Sequence, residues 1–163
     1  MKISKHFTLA EVEKSERALR LGIDNTAPEF VVDAAAGVAV NVMDKVREHF
    51  WRPITPTSWY RCPEVDAAIR SKAIYELWKA GQWKPKSQHI NGSAVDFEIG
   101  GVPNTEVAQW IADNLEFDQL ILEFFSGPPN SGWIHVSFVI DGENRQEMLT
   151  TADGKTYQSG LHY

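Results

Sequence analysis

The spacing of the apolar residues changes about halfway along this chain. In the first half, five small or β-branched residues recur at helical spacing and form one stripe: Val31, Ala35, Val38, Val42 and Val46. After residue 93, segments rich in β-branched and aromatic residues read as strands, over residues 94–99, 117–125 and 133–140. Helices followed by strands predict an α+β fold, with helices packed on a mostly antiparallel sheet.

Capping and stop signals mark where the helices begin and end. Residues 8–11 and 26–29 each carry a capping box, which opens first a short helix and then the long one. Arg52-Pro53 stops the long helix. A third helix is predicted over residues 63–80, with proline in its first turn and Gly81 after its end.

Turn residues separate the later elements. Residues 54–60 read as a short extended segment, and residues 105–114 as a short helix. Residues 126–132 (Ser-Gly-Pro-Pro-Asn-Ser-Gly) form a loop that joins two strands into a hairpin. Asp-Gly pairs at 141–142 and 153–154 are turn signals that add one or two terminal strands.

Length and charge limit the class of protein. A chain of 163 residues with no visible boundary is predicted to be a single domain, residues 1–163. A net charge of -6 argues against a nucleic-acid partner, because phosphate binding needs clustered lysine and arginine. The one cysteine, Cys62, excludes an internal disulfide and is predicted to be a small buried thiol.

The sequence carries no membrane signal. The N-terminal residues are polar, without the apolar core of a signal peptide, and no window approaches the ~18 apolar residues of a membrane span. We therefore expect no membrane insertion, and a protein that stays in the cytosol where it is made until something releases it. A monomer is the expected state.

Two histidines and one aspartate form the main candidate site. His89 lies at a loop-to-strand approach, Asp96 follows on the next strand, and His135 lies on a strand of the later hairpin. Two imidazoles and one carboxylate suffice as protein ligands of a catalytic zinc ion, with the fourth position left open. His135 is predicted to share its strand face with Trp133 and Ser137.

The pattern around these residues resembles the zinc peptidases of the M15 family, which include D-Ala-D-Ala carboxypeptidases and bacteriophage L-alanyl-D-glutamate endolysins. Two segments carry the resemblance: Ser87-x-His89-x-x-Gly92-x-Ala94-x-Asp96 and Trp133-x-His135-Val136. Four further segments look like parts of the phage-encoded branch: residues 7–11, 21–25, 57–61 and 117–121. The resemblance covers most of residues 7–140, and it implies a fold like that of D-Ala-D-Ala peptidases and hedgehog domains.

The resemblance implies a role for each matching residue. His89, Asp96 and His135 would hold one zinc ion. Arg61 would face a substrate carboxylate, which a guanidinium grips bidentately, although a surface salt bridge is the alternative. Ser87 and Trp133 would contact the substrate near the metal, in positions matching those of the motif.

The general base is not in its expected place. Several related peptidases carry a glutamate or a second histidine just before the last ligand, where this chain has Ser-Gly-Trp at 131–133. Glu123 is the preferred candidate, because hairpin pairing can bring it beside His135, and an exposed strand glutamate is the alternative. Apolar residues surround Glu123 in sequence, and a charged group there needs a partner or a function. Asp118 and Glu98 are the reserve candidates.

Residues 73–86 lengthen the segment before the metal motif, compared with the family. Trp78 and Trp83, interleaved with lysines, suit stacking on glycan rings or contact with an anionic polymer. The preferred alternative is an amphipathic helix with Trp78 in the core, followed by a solvated lysine loop. His6, His49 and His162 have no ligand-like partners and are predicted to face solvent.

These observations predict a zinc peptidase that hydrolyses stem or cross-link peptides of bacterial peptidoglycan. Phage origin is implied, as an endolysin held in the host cytoplasm until release or as a virion-associated enzyme. The alternative is a non-catalytic, metal-stabilised wall-binding or structural phage module of the same fold, because fold alone does not establish activity. The missing carboxylate before Trp133 favours this alternative.

Overall fold

The first half of the chain is helical, as the apolar stripe predicts. The computed structural model describes residues 1–163, in which the helices are α1 (Leu9–Glu13), α2 (Glu16–Leu21), α3 (Glu29–Val38), α4 (Asp44–Phe50), α5 (Pro63–Arg70), α6 (Lys72–Lys79) and α7 (Asn104–Asn114). A π-helical stretch, Ala39–Met43, joins α3 to α4. All five residues of the predicted stripe are fully buried, which confirms the helical periodicity.

The second half forms one five-stranded sheet. Its strands are β1 (Ala94–Phe97), β2 (Gln119–Glu123), β3 (Trp133–Ser137), β4 (Glu147–Thr151) and β5 (Gln158–Ser159), in the order β1-β3-β2-β4-β5. Every neighbouring pair is antiparallel except β2 and β4, which run parallel. The α+β class with a mostly antiparallel sheet is therefore confirmed, as is the predicted hairpin, and of the one or two terminal strands predicted the structure has two.

One face of the sheet supplies the core. Val95 on β1, Val136 on β3 and Leu120 on β2 are fully buried and pack in the same apolar cluster as the α3–α4 stripe. The other face of β1 and β3 carries polar side chains, because alternate residues of a strand point to opposite faces. None of the helices has both the length and the apolarity that crossing a bilayer requires.

One of the two predicted capping boxes is wrong. Thr8 and Glu11 cap α1 reciprocally, as predicted. At the start of α3, however, the N-cap is Pro28, and the side chain of Thr26 instead donates to Asp24 at 2.6 Å. Asp24 forms a local turn with Thr26, and this competes with capping of the next helix.

The predicted helix over residues 63–80 is two helices. Ser71 adopts an extended conformation (φ −172°, ψ 163°), ends α5 and caps α6 by accepting a hydrogen bond from the amide of Ile74. Helix α6 buries none of its residues, so Trp78 is not in the core as predicted. Trp78 is half-buried and stacks on Tyr75, with ring centroids 6.0 Å apart.

The extended segment before α5 forms only one bridge with the sheet. Ser58 pairs with Asp96 at the free edge of β1, where the amide of Asp96 donates to the carbonyl of Ser58 at 2.8 Å. Cys62 is half-buried rather than buried, and burial raises the pKa of its thiol. His49 and His162 are exposed as predicted, whereas His6 is half-buried.

The long helix ends at a strained tryptophan. Trp51 follows α4 in the left-handed conformation (φ 52°, ψ 35°), where glycine is the usual residue, and 90% of its surface is exposed. We expect Trp51→Gly to raise the free energy of unfolding by about 0.5–1 kcal/mol, because it relieves this backbone strain and removes almost no packing. Urea unfolding measures the change. Trp51→Ala is the control, since it removes the indole but keeps the strain.

A buried carboxylate ties the sheet to the segment that carries His89. Asp118, just before β2, accepts two hydrogen bonds from the Arg145 guanidinium (2.8 and 2.7 Å) and one from the amide of Gln88 (2.9 Å). Hydrogen bonding to Arg145, which outweighs the opposing effect of burial, lowers the pKa of Asp118 to about 2. A carboxylate held in this way stabilises the fold only while it is ionised.

This pair predicts a loss of stability in acid. Because the pKa of Asp118 is depressed, its contribution is complete above pH ~4 and is lost as the pH falls towards 2, about 1–2 kcal/mol given the exposure of Arg145. Asp118→Asn should lose this stability at pH 7 and should show a correspondingly smaller decline between pH 4 and pH 2. Urea unfolding at several pH values measures both effects. The exposed Asp141→Asn change should alter neither.

Candidate metal centre

The register of the sheet brings Asp96 and His135 side by side. They are directly paired residues of β1 and β3, so their side chains lie on the same face of the sheet. This face is the one opposite the core-facing residues Val95 and Val136. His135 therefore shares its face of β3 with Trp133 and Ser137, as predicted.

A short 3-10 segment, Gln88–Asn91, positions the side chain of His89 next to Asp96 and His135. The Ser87 hydroxyl caps this segment by accepting a hydrogen bond from the amide of His89 at 3.3 Å. Gly92 ends it with φ +74°, and a Cβ atom there would lie 2.6 Å from the carbonyl oxygen of Val31. Only glycine allows this turn to pack directly against α3, which places the imidazole of His89 over the sheet.

The three side chains converge tightly. Nδ1 of His135 lies 2.9 Å from Oδ1 of Asp96 and 3.3 Å from Nε2 of His89, and Nε2 of His89 lies 3.3 Å from the same Oδ1. Ligands about 2.0–2.1 Å from a tetrahedral zinc ion are about 3.3 Å from one another. All three residues are buried, and their donor atoms fit one metal ion.

A backbone carbonyl fixes the proton on His89. Its Nδ1 lies 2.6 Å from the carbonyl oxygen of Trp59, and a carbonyl can only accept, so Nδ1 carries the hydrogen. The lone pair of Nε2 is therefore directed at Asp96 and His135. Burial lowers the pKa of His89 despite the opposing effect of Asp96, which keeps the imidazole neutral as metal binding requires.

Arg61 holds the other oxygen of Asp96. Its Nη2 donates to Oδ2 at 2.6 Å, and its Nε donates to the hydroxyl of Ser58 at 2.8 Å. Burial alone raises the pKa of Asp96, but charge interactions and hydrogen bonds with His89 and His135 outweigh it and hold this pKa well below its usual value. Asp96 is thus an oriented carboxylate anion, with Oδ1 left for the imidazoles or a metal.

Glu123 lies on the same sheet face as the three candidate ligands. It pairs with Trp133 across β2 and β3, and β2 places it two residues from Ile121, the partner of His135. Glu123 is half-buried, and both burial and the charge of Asp96 raise its pKa, while His135 and Arg61 act in the opposite direction. A carboxyl group with a raised pKa beside a candidate metal centre suits proton transfer.

The two reserve candidates for the base are placed differently. Both oxygens of Asp118 are occupied by hydrogen bonds from Arg145, and one of them also accepts from the side chain of Gln88. Glu98 is exposed and accepts a hydrogen bond from the amide of Asn104 at 3.2 Å. Asp118 is held as a paired anion with a lowered pKa, and Glu98 is in solvent, so neither is as well suited to proton transfer as Glu123.

A groove of about 350 Å³ opens at this centre. Asp96, Arg61 and Trp133 line it, whereas Ser87 does not. Its remaining lining residues are Lys14, Ser15, Glu16, Arg17, Arg20, Thr57, Ser58, Ile69 and Glu98. Of the three candidate ligands, Asp96 is the one that lines this groove, and most of the lining residues are polar or charged.

Three cations of the groove lack carboxylate partners. Lys14, Arg17 and Arg20 form no ion pair, although the chain as a whole is acidic. Nη2 of Arg17 donates to the carbonyl of Ala68 at 2.8 Å, but its Nε is buried without a hydrogen-bond partner. Such groups suit an anionic ligand.

Sequence reasoning missed these cations because it missed α2. Ser15 at the N-cap, which accepts from the amide of Ala18, and Gly22 just after the helix were the signals that define it. The carbonyl of Trp59 was also missed. A backbone acceptor leaves no trace in side-chain patterns, so the sequence contained no signal for it.

Part of the chain matches a known protein family. Residues 5–76 match the family model described as Peptidase M15, a segment that includes Arg61 and ends before the three candidate ligands. No curated protein matches the chain. M15 peptidases are metal-dependent, and the cluster of His89, Asp96 and His135 can hold a metal ion. The match supports an M15 family peptidase, and hence a metallopeptidase, at the level of the family rather than of a subtype.

Proposed function

We propose that this protein is a zinc peptidase that hydrolyses peptide bonds in the stem or cross-link peptides of bacterial peptidoglycan. The observation that carries the proposal is the spacing of Nε2 of His89, Oδ1 of Asp96 and Nδ1 of His135, at 2.9–3.3 Å from one another. The family match supports peptide hydrolysis. The resemblance to the phage-encoded branch favours a lytic enzyme, either an endolysin or part of a virion.

The donor set suits zinc. Two neutral imidazoles and a carboxylate bind this ion tetrahedrally and leave one position open. When bound, zinc would polarise the scissile carbonyl and acidify water. The protein contributes rigidity, because the Trp59 carbonyl orients His89 and the Arg61 guanidinium orients Asp96, each through an atom that does not face the metal position.

Glu123 is proposed as the group that moves the proton. Its carboxylate takes a proton from the attacking water as the new C–O bond forms. The same proton then passes to the nitrogen of the leaving amine as the C–N bond breaks, which balances the reaction. The raised pKa of Glu123 makes it a stronger base than an exposed glutamate and a usable acid in the second step.

The groove is proposed to hold the carboxylates of the substrate. Arg61 donates from Nε to Ser58 and from Nη2 to Asp96. A guanidinium has five N–H groups, so three of them remain for a substrate carboxylate. Lys14, Arg17 and Arg20 can bind further carboxylates, which stem peptides carry on their side chains and ends. Trp133 and Ser87 stay proposed substrate contacts.

Arg20→Ala tests the groove. Arg20 is exposed and bonds only to its own helix, so the fold should tolerate its loss. We expect KM to rise about 5-fold with kcat unchanged, the effect of one partly exposed charge pair. The same change should have no effect on a substrate whose carboxylates are amidated. Lys45→Ala, an exposed cation outside the groove, is the control.

The function itself is tested on purified peptidoglycan. Protein is added with and without a chelator, new amino termini are counted, and mass spectrometry of the muropeptides identifies the bond that is cut. Release that stops with chelator and returns with zinc is the expected result. Release that is insensitive to chelator contradicts a metal-dependent mechanism.

A non-catalytic module of the same fold is the second candidate. The absence of an acidic residue just before Trp133 favours it, as does the ion pair that already occupies Asp96. The same experiment separates the two functions. Tight zinc binding without any release of amino termini would favour the module.

A further inference from the structure

A second cavity lies apart from the metal centre. It has a volume of about 460 Å³ and shares no lining residue with the groove at Asp96. Its lining residues are Lys5, His6, Arg47, Glu48, Trp51, Arg52 and Pro53. Three permanent cations and one carboxylate surround this cavity, in a chain whose net charge is -6.

Trp51 is the most unusual residue of this cavity. Its surface is 90% exposed, and its ring stacks on no other aromatic ring and carries no cation over its face. Its backbone is held at φ 52°, which is unfavourable for any residue with a side chain. An exposed indole on a strained backbone lowers stability, and strain of this kind occurs where a residue serves binding.

Two of the cations are free to bind an anion. Lys5 is paired with Glu48 at 2.7 Å, whereas neither Arg47 nor Arg52 forms an ion pair. Nη1 of Arg47 makes a long hydrogen bond, 3.4 Å, to the carbonyl of His6, and the guanidinium lies 6.0 Å from the centroid of the Phe7 ring. Guanidinium groups bind phosphates and carboxylates bidentately, so these two supply anion-binding donors to the cavity that Trp51 also lines.

We propose that this cavity binds an anionic glycan, with a sugar ring on the face of Trp51 and its phosphate or carboxylate group on Arg47 and Arg52. An indole packs against the C–H face of a pyranose, and adjacent guanidiniums select sugars that carry a negative charge. Nucleic acid fits less well, because a single strand binds along several stacked aromatic rings and a continuous basic groove, whereas this cavity offers one aromatic ring and two free cations. The site would attach the protein to a charged polysaccharide independently of peptide hydrolysis.

Binding is tested with dextran sulfate, uncharged dextran of equal length, polyglutamate and a single-stranded oligonucleotide, by calorimetry on the full chain. The indole N–H signal of Trp51 in the NMR spectrum, assigned by its loss in Trp51→Ala, locates the contact. We expect dextran sulfate to bind and to shift this signal, and the other three probes to bind at least about 10-fold more weakly. Equal binding of polyglutamate, tighter binding of the oligonucleotide, or binding that leaves the signal unmoved would each overturn the proposal.

Variants separate binding from folding. Trp51→Ala and Arg52→Ala should each weaken dextran sulfate binding about 10-fold, and Lys155→Ala, an exposed cation elsewhere, should not. Trp51→Gly should weaken binding equally although it stabilises the fold, so a loss of binding there cannot arise from unfolding. Retained affinity in Trp51→Gly would show that the indole is not a contact, which contradicts the proposal.

Discussion

Replacing Asp96 with asparagine is expected to abolish tight zinc binding and peptide hydrolysis together. The amide keeps the shape of the side chain, but it presents a neutral oxygen to the metal and loses its ion pair with Arg61. Loss of an outer-shell partner alone costs about 10–100-fold in metal affinity, so loss of a ligand should cost more than about 100-fold. Competition with a chelating dye measures the affinity, and release of amino termini from peptidoglycan measures the activity.

Stability provides a readout that does not depend on activity. A ligand present at about 100 times its dissociation constant stabilises the folded state by about 2.7 kcal/mol, so zinc should raise the melting temperature of the wild type. This shift should vanish in Asp96→Asn. Asp44→Asn is the matched control, since Asp44 is also a buried carboxylate, bonded to Ser4 and to the amide of Lys5. A zinc-dependent shift that persists in Asp96→Asn would contradict the proposed ligand set.

The elements of the fold were predictable where a single periodicity extends over many residues. The stripe from Val31 to Val46 defines α3 and α4, and the Gly-Pro-rich loop at 126–132 defines the β2–β3 hairpin. Features that depend on one or two residues could not be predicted in this way. The break at Ser71 interrupts a continuous helical pattern, and the cap at Thr26 was lost to a local bond with Asp24.

The metal centre was predictable in its ligands but not in its surroundings. His89, Asp96 and His135 carry chemistry that a short motif reveals, and the antiparallel register then fixes the pairing of Asp96 with His135. The groups that orient them come from distant parts of the chain, such as the carbonyl of Trp59. The ion pair of Arg61 with Asp96 depends on the bridge at Ser58, a single pair of residues that leaves no periodic pattern.

Replacing Glu123 with glutamine is expected to lower kcat by about 10²–10⁴-fold while zinc affinity is unchanged, because general acid–base catalysis contributes about that much. The amide has nearly the same size, so the pairing of Glu123 with Trp133 and the packing around it are kept. KM should change little, since the carboxylate serves proton transfer rather than substrate binding. Steady-state kinetics on a muropeptide and a zinc titration together measure these effects.

The pH dependence gives the sharper test of Glu123. A base must be ionised, so the rate falls as the pH drops through the pKa of Glu123, which burial and the charge of Asp96 raise above that of an ordinary glutamate. Bound zinc would offset the charge of Asp96, and burial would then supply the remaining shift. The residual activity of Glu123→Gln should therefore lack the acid limb seen in the wild type. Glu147→Gln, a half-buried strand glutamate paired with Arg145, should keep both kcat and the acid limb. An acid limb that persists in Glu123→Gln at pH values where zinc stays bound would assign the base to another residue, because glutamine cannot titrate.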